Sequence, residues 1–233
     1  MNKKICLITG GTRGLGRVIS LSLHKKGHIV IANYIKGEPE AQTLRELGCI
    51  TFKADISKMD ECIRMADFIK ERFGILHVLI NNAAILKDEL LIKLKENAWD
   101  EVINVNLKGM FNTILTFSAL LAETKGHIIN ITSYSGIRGK AGQTAYSASK
   151  AGVIGLSLSA AKELSMQGIK VNVLAPGYMD TDMGRSSPKA LENAIKESLL
   201  NTLTNPEEVA EFIAFLINTE TITGQIFRID NRI

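Results

Sequence analysis

Thr9-Gly10-Gly11-Thr12-Arg13-Gly14-Leu15-Gly16 is the stretch that decides the fold of this chain. It closes an apolar, β-branched run at residues 5–9 and opens a segment of helical period at residues 14–26. Glycines at such a turn let the backbone bend sharply and come close to a pyrophosphate. The helix that follows offers its first N–H groups and the positive end of its dipole to the phosphates. The spacing is G-x-x-x-G-x-G, not the commoner G-x-G-x-x-G. A glycine-rich stretch alone is often only a tight turn. Its place between a strand and a helix makes it a dinucleotide-binding signal.

The pattern repeats outward from that turn. Strand-like runs lie at residues 5–9, 28–33, 50–53, 78–81, 127–132, 170–175 and 226–229. Helical periods lie between them, at residues 14–26, 38–47, 58–72, 98–123, 146–166 and 207–218. Continuous apolar strands separated by helices imply a parallel sheet covered on both faces. Right-handed crossovers then give a doubly wound, three-layer α/β/α sheet of Rossmann type. No Pro- or Gly-rich linker breaks it, so residues 1–233 read as one domain. The longest stretch without a clear element runs from Gly177 to about Pro188. It follows a strand end, where ligands bind in such sheets, so a substrate lid around residues 177–200 is expected; a plain surface excursion is the alternative.

Composition narrows the class. A 45% hydrophobic, 22% charged chain of 233 residues is globular and long enough to bury a substantial core. The net charge of +4 comes from scattered Lys and Arg, with no basic run of the kind nucleic acid selects. Cys6, Cys49 and Cys62 match no metal or redox spacing, so no metal is expected. Cys6, inside an apolar run, reads as a buried, inert thiol. An odd number of thiols and no targeting segment point to a reducing, cytoplasmic setting. No apolar run approaches the ~18 residues of a membrane span.

The second strand bears on the cofactor. It ends Ile31-Ala32-Asn33-Tyr34, and no acid occurs before Glu38. An NAD-selective fold usually places an acid here, to accept from the ribose 2′-OH. Its absence removes a charge that would repel a 2′-phosphate, and Arg13 and Lys36 offer positive charge nearby. NADP(H) is the expected cofactor; the alternative leaves both cations merely solvated.

Tyr146-Ser147-Ala148-Ser149-Lys150 opens a later helical segment. Positions i and i+4 share a helix face, so phenol and ammonium can approach one point. Ser133 lies just past the carboxyl end of the 127–132 strand, 13 residues before Tyr146. Taken together, Gly10-x-x-x-Gly14-x-Gly16, Asn81-Asn82-Ala83-Ala84, Asn106, Ser133, Tyr146-x-x-x-Lys150 and Pro176-Gly177 resemble the short-chain dehydrogenase/reductase family in order and spacing. The likeness spans essentially the whole chain. Within the family, residues 81–94, Trp99 and Val105-Asn106-Leu107 are similar to 3-oxoacyl-[acyl carrier protein] reductases and acetoacetyl-CoA reductases.

The resemblance implies roles. Tyr146 would be the general acid. Lys150 would lower the phenol pKa from its free value of ~10 and hold the nicotinamide ribose. Ser133 would hydrogen-bond the substrate oxygen where charge develops. Asn106 would hold a water linking Lys150 to solvent. Gly10, Thr12, Arg13, Gly14, Leu15 and Gly16 would cradle the phosphates, and Asn33 would lie beside the adenosine ribose. Asp55 would face the adenine, with Ile56 contributing backbone, although Asp55, or Ser57, is equally a helix cap. Asn82, Ala83 and Ala84 would line the ribose. Pro176 and Gly177 would lie near the nicotinamide, and Thr181 near its carboxamide.

The implied activity is NADPH-dependent reduction of a 3-oxoacyl thioester on acyl carrier protein or CoA, as in fatty acid biosynthesis, by a homodimer or homotetramer. Another small ketone or secondary alcohol is the nearer alternative; a non-catalytic NADP-binding sensor or scaffold is the more distant one. Three departures stand out. Ala84 replaces a usual Gly. Thr124 and Gln167 stand where carrier-protein reductases carry basic residues, with Lys125 and Lys170 as neighbours. The chain closes Asp230-Asn231-Arg232-Ile233 where relatives usually carry Gly-Gly.

Overall fold

The computed structural model describes residues 3–185 and 188–232. Seven strands among them are β1 (Ile5–Ile8), β2 (Ile29–Tyr34), β3 (Ile50–Lys53), β4 (Val78–Asn81), β5 (His127–Ile131), β6 (Lys170–Pro176) and β7 (Ile226–Ile229). They form one sheet in the order β3-β2-β1-β4-β5-β6-β7, with every neighbouring pair parallel. The order reverses between β1 and β4, which opens a crevice at their carboxyl ends.

The helices are α1 (Gly14–Lys25), α2 (Glu38–Glu46), α3 (Met59–Phe73), α4 (Glu96–Ile103), α5 (Gly109–Ala122), α6 (Tyr134–Arg138), α7 (Thr144–Leu164), α8 (Asp182–Arg185), α9 (Pro188–Glu197) and α10 (Pro206–Leu216). Alternate strand residues feed opposite faces. Ile8, Ala32, Ile80 and Ile129 pack against Leu15, Ile19 and Leu23 of α1 and Val209 and Ile213 of α10. Leu7, Ile31, Leu79 and Ile128 pack against Met65 and Ile69 of α3, Phe117 and Leu121 of α5, and Val153 of α7. These are the two covered faces that unbroken apolar strands require.

A buried polar chain ties the second face together. Thr113 Oγ1 donates to Asn81 Oδ1 (2.7 Å), Asn81 Nδ2 to Asn130 Oδ1 (2.9 Å) and Asn130 Nδ2 to Ser157 Oγ (2.8 Å). Satisfied in series, it joins α5, β4, β5 and α7 and holds α7 in register behind the crevice.

Several expectations need correction. The helical period at 98–123 is broken: α4 and α5 are joined by a π turn at Asn104–Lys108, centred on Asn106. The segment expected at 146–166 begins at Thr144 and ends in a 3-10 turn at Ser165–Gln167. The stretch after Gly177 is not structureless, since α8 and α9 occupy it; Ser186 and Ser187, within the expected lid, lie outside the described residues. The short helix α6 after Ser133 had no counterpart in the sequence pattern.

Candidate active site

The glycine turn is built as a cradle. Gly10 has φ +60°, a region that disfavours a side chain, and a Cβ there would lie 3.0 Å from Ala83 Cα. A Cβ on Gly16 would overlap the Gly10 carbonyl and come within 2.6 Å of Asn82 Nδ2. Asn82 locks the turn from the other side of the crevice. Its Nδ2 donates to the carbonyls of Thr9 (3.0 Å) and Gly10 (3.2 Å). Thr9, which the sequence motif did not single out as a site residue, is its counterpart: Oγ1 accepts from Asn82 N (3.0 Å) and Ala83 N (3.1 Å). The signal was there, since a hydroxyl ending a strand beside a glycine turn suits such a role.

Helix α1 begins after Arg13 with no side-chain cap and no acid in its first turn. Its leading N–H groups and positive dipole end are therefore available to an anion. This cradle and helix end fit a dinucleotide pyrophosphate. An open cavity of about 390 Å³ lies beside them, lined by Thr12, Arg13, Gly14, Arg17, Asp180, Thr181 and Arg185 among others. Thr181 faces Gly14, with its Cβ 3.8 Å from where a Gly14 Cβ would stand. The Leu15 side chain is buried in the core.

Farther along the cleft, Asn33 is 2% exposed and donates through Nδ2 to the carbonyls of Ala54 (2.9 Å) and Phe52 (3.3 Å). Its side chain stitches β2 to the end of β3. Glu38, the first acid after that strand, accepts from Tyr34 Oη (2.6 Å) and pairs with Arg45. Arg13 and Lys36 are exposed. Asp55 Oδ1 accepts from Ser57 N (2.9 Å) and Ser57 Oγ (2.7 Å), so it caps its own turn. Ser57 is not the cap of α3; Lys58 holds that position, without a side-chain bond. The Ile56 carbonyl is engaged by Asn112 Nδ2 (2.9 Å). Ala83 and Ala84 are half-buried at the crevice; Pro176 ends β6 and Gly177 follows it.

Helix α7 brings Tyr146 and Lys150 onto one face, with Lys150 Nζ 5.7 Å from the Tyr146 ring centroid. Ser133, two residues past β5, caps α6; its Oγ accepts from Ser135 N (3.3 Å), and it lies close enough to the Tyr146 hydroxyl to draw the phenol's pKa down. Two close contacts fix this geometry. Thr132 Oγ1 donates to the Lys150 carbonyl (2.6 Å). Gly136 lies so close to α7 that a Cβ would sit 2.7 Å from the Lys150 carbonyl carbon. A larger residue would push the Ser133 turn off the helix.

Burial dominates the electrostatics. Lys150 is 1% exposed and donates to the Ile131 carbonyl (2.8 Å). Desolvation lowers its pKa to about 8, so it is a cation at neutral pH but a soft one. Desolvation also pushes the Tyr146 phenol up to about 12; the neighbouring Ser133 hydroxyl opposes this and Asp88 adds to it. No lowering of the phenol by Lys150 is resolved; the ammonium donates to the Ile131 carbonyl and stands 5.7 Å from the phenol ring centroid.

Asn106 is 0% exposed, and its amide is fully engaged. Oδ1 accepts from Ile85 N (2.8 Å), while Nδ2 donates to the Ile85 carbonyl (3.0 Å) and to Ser149 Oγ (3.1 Å). It ties the loop after β4 to α7. No cluster of His, Cys, Asp and Glu suited to a metal occurs among the described residues. Cys6 and Cys62 are buried thiols pushed up to about 12, so both are un-ionised at neutral pH.

Comparison with known proteins gives the family. The family model described as short chain dehydrogenase matches residues 4–192. A protein of Thermotoga maritima named 3-oxoacyl-[acyl-carrier-protein] reductase FabG is 40% identical over 236 residues, covering 97% of this chain and 96% of that one. A protein of the same name from Staphylococcus epidermidis is 40% identical over 240 residues, covering 99% and 98%. An acetoacetyl-CoA reductase of Shinella zoogloeoides is 37% identical over 227 residues, covering 95% and 94%.

Proposed function

The chain belongs to the short-chain dehydrogenase family and is an oxidoreductase with a nicotinamide cofactor; on that premise we propose that it uses NADPH to reduce a 3-oxoacyl thioester to the 3-hydroxyacyl thioester. The observation that carries this reading is the convergence of Ser133, Tyr146 and Lys150 at the carboxyl ends of β5 and β6, beside a built dinucleotide cradle. The relatives named above, reductases of carrier-bound and CoA-bound 3-oxoacyl groups, support the thioester.

A bound nicotinamide supplies the hydride. Gly10, Thr12, Arg13, Gly14, Leu15 and Gly16 would form its phosphate turn, with Asn33, Asp55, Ile56, Asn82, Ala83 and Ala84 around the adenosine half. Pro176, Gly177 and Thr181 would flank the nicotinamide half, where Lys150 would hold the ribose. Ser133 donates its hydroxyl proton toward the substrate oxygen, and Tyr146 Oη delivers the proton as that oxygen gains charge. With its pKa pushed up to about 12, the phenol is protonated at neutral pH and carries the proton that reduction consumes. Asn106 serves by positioning, through Ile85 and Ser149.

NADPH is preferred because Arg13 and Lys36 stand near the end of β2 while its nearest following acid, Glu38, is committed to Tyr34 and Arg45. The segment 177–200 acts as the substrate lid. No helix among the described residues is long and apolar enough to cross a membrane; a cytoplasmic enzyme meeting acyl carrier protein or CoA thioesters is the setting proposed. The test is NADPH consumption with acetoacetyl-CoA, a 3-oxoacyl carrier protein and a panel of simple ketones. Thioesters should exceed the simple ketones at least tenfold in kcat/KM. A preference for a simple ketone would overturn the thioester reading, and binding of NADPH without any turnover would leave a sensor or scaffold.

A further inference from the structure

The last described residues do more than end β7. Arg232 carries its guanidinium 4.3 Å from the centroid of the Tyr134 ring, and Tyr134 is the residue after Ser133. The guanidinium is held by a fork to Asp230, with Nε to Oδ1 at 3.0 Å and Nη2 to Oδ2 at 2.9 Å. Glu197, at the end of α9, lies 3.9 Å away. The Arg232 side chain is only 8% exposed and that of Asp230 only 2%. A tail arginine ordinarily sits in water; this one is buried, neutralised and stacked.

The main chain beside it grips the far end of the lid segment. Ser198 and Arg232 form an antiparallel bridge, Leu199 N donates to the Asn231 carbonyl (2.9 Å), and Asn231 Nδ2 donates to the Thr202 carbonyl (2.8 Å). Asp230 also backs Gly177, where a Cβ would overlap the Thr204 hydroxyl and lie 2.6 Å from Asp230 Oδ1. A fork-held guanidinium on an aromatic face is a rigid contact. The turn it grips needs one, since the local bond to Ser133 Oγ is a long 3.3 Å. One side chain thus touches both the turn presenting Ser133 and the strap anchoring residues 197–204.

We propose that Arg232 is a positioning residue: through Tyr134 it fixes the Ser133 turn, and through the tail it couples that turn to the base of the lid. The effect on turnover rests on the reductase reading above. In Arg232→Ala and in Tyr134→Leu, kcat should fall about tenfold while the KM for NADPH stays within twofold. The double variant should be no slower than the slower single one, because both break the same contact. Arg232→Lys keeps the charge but not the planar fork, and should recover less than half of the rate. Hydrogen exchange read by mass spectrometry should show residues 134–138 and 198–202 loosening together in Arg232→Ala. A kcat within twofold of wild type, multiplicative losses in the double variant, or loosening confined to 198–202 would each overturn the proposal. Should the wild type reduce nothing, the reductase reading fails separately and the exchange result alone decides: joint loosening sustains the coupling, and loosening of the tail alone ends it.

Discussion

Asn33 answers to the neighbouring strand before it answers to any ligand. Its Nδ2 is spent on two carbonyls at the end of β3, so Asn33→Asp, the obvious swap toward a 2′-OH acceptor, would also turn a carboxylate onto two acceptors. Arg13 is the cleaner probe of cofactor choice, since it is exposed at the start of α1 and faces the open cavity. Arg13→Ala should lower kcat/KM for NADPH by roughly ten- to a hundredfold, the worth of a charge-assisted contact, and leave NADH nearly unchanged. Equal losses with both cofactors, or a wild type that prefers NADH, would refute the NADPH preference. At this scale the sequence was most legible where spacing is chemistry. Tyr146 and Lys150 share a face because four residues make a turn, and Ser133 reaches them because a strand end does. It was least legible where a side chain chooses its direction. Nothing in the local pattern says that Asn106 turns to Ile85, or that the Lys150 ammonium settles on a carbonyl.

The elements tell a similar story. Apolar periodicity placed the strands to within a residue or so, because buried parallel strands must be apolar throughout. It ran straight through residues 104–108, because a π turn adds a residue to the ladder without changing composition. Asn106, whose amide reaches the loop after β4, lies within that bulge. Likewise α6 is too short to carry a period, and its position is set by the contact of Gly136 with α7. The glycine turn was legible as a turn, but its tightness was not. A methyl at Gly16 has only the Gly10 backbone and the Asn82 amide to displace, and neither can yield without opening the cradle. Gly16→Ala should therefore weaken NADPH binding at least tenfold in a fluorescence titration and cost about 1–3 kcal/mol of stability. An affinity within twofold of wild type would mean that the cradle is not where the phosphates sit.

Across the whole molecule, chemistry gathers at one edge of the sheet and titratable bases at the other. His28, His77 and His127 lie at the amino ends of β2, β4 and β5, between Lys4 and Lys170, and burial lowers the pKa of all three. His127 is brought to about 4, first by desolvation and then by Lys170, against a bond to the Thr219 backbone. The unfolded chain takes up a proton near pH 6.5 that the folded chain refuses. This contribution is whole above pH 6.5 and is lost as pH falls to about 4, by about 3 kcal/mol for this one group. His127→Gln should lose correspondingly less stability than wild type between pH 7 and pH 4.5 in urea unfolding; equal losses would contradict it. Phe111 and Leu115 are exposed on α5, and the dimer or tetramer implied by the family resemblance is proposed to form through that face. Light scattering should return an oligomer at micromolar concentration, and a monomer would refute this. The account as a whole stands on one hydroxyl. Tyr146→Phe removes that oxygen and leaves the ring and the cradle in place. Steady-state reduction of acetoacetyl-CoA should fall by ~10²–10⁴-fold while NADPH binding by fluorescence stays within about twofold. A Tyr146→Phe protein that keeps most of its turnover would show that the proton comes from elsewhere and contradict the mechanism.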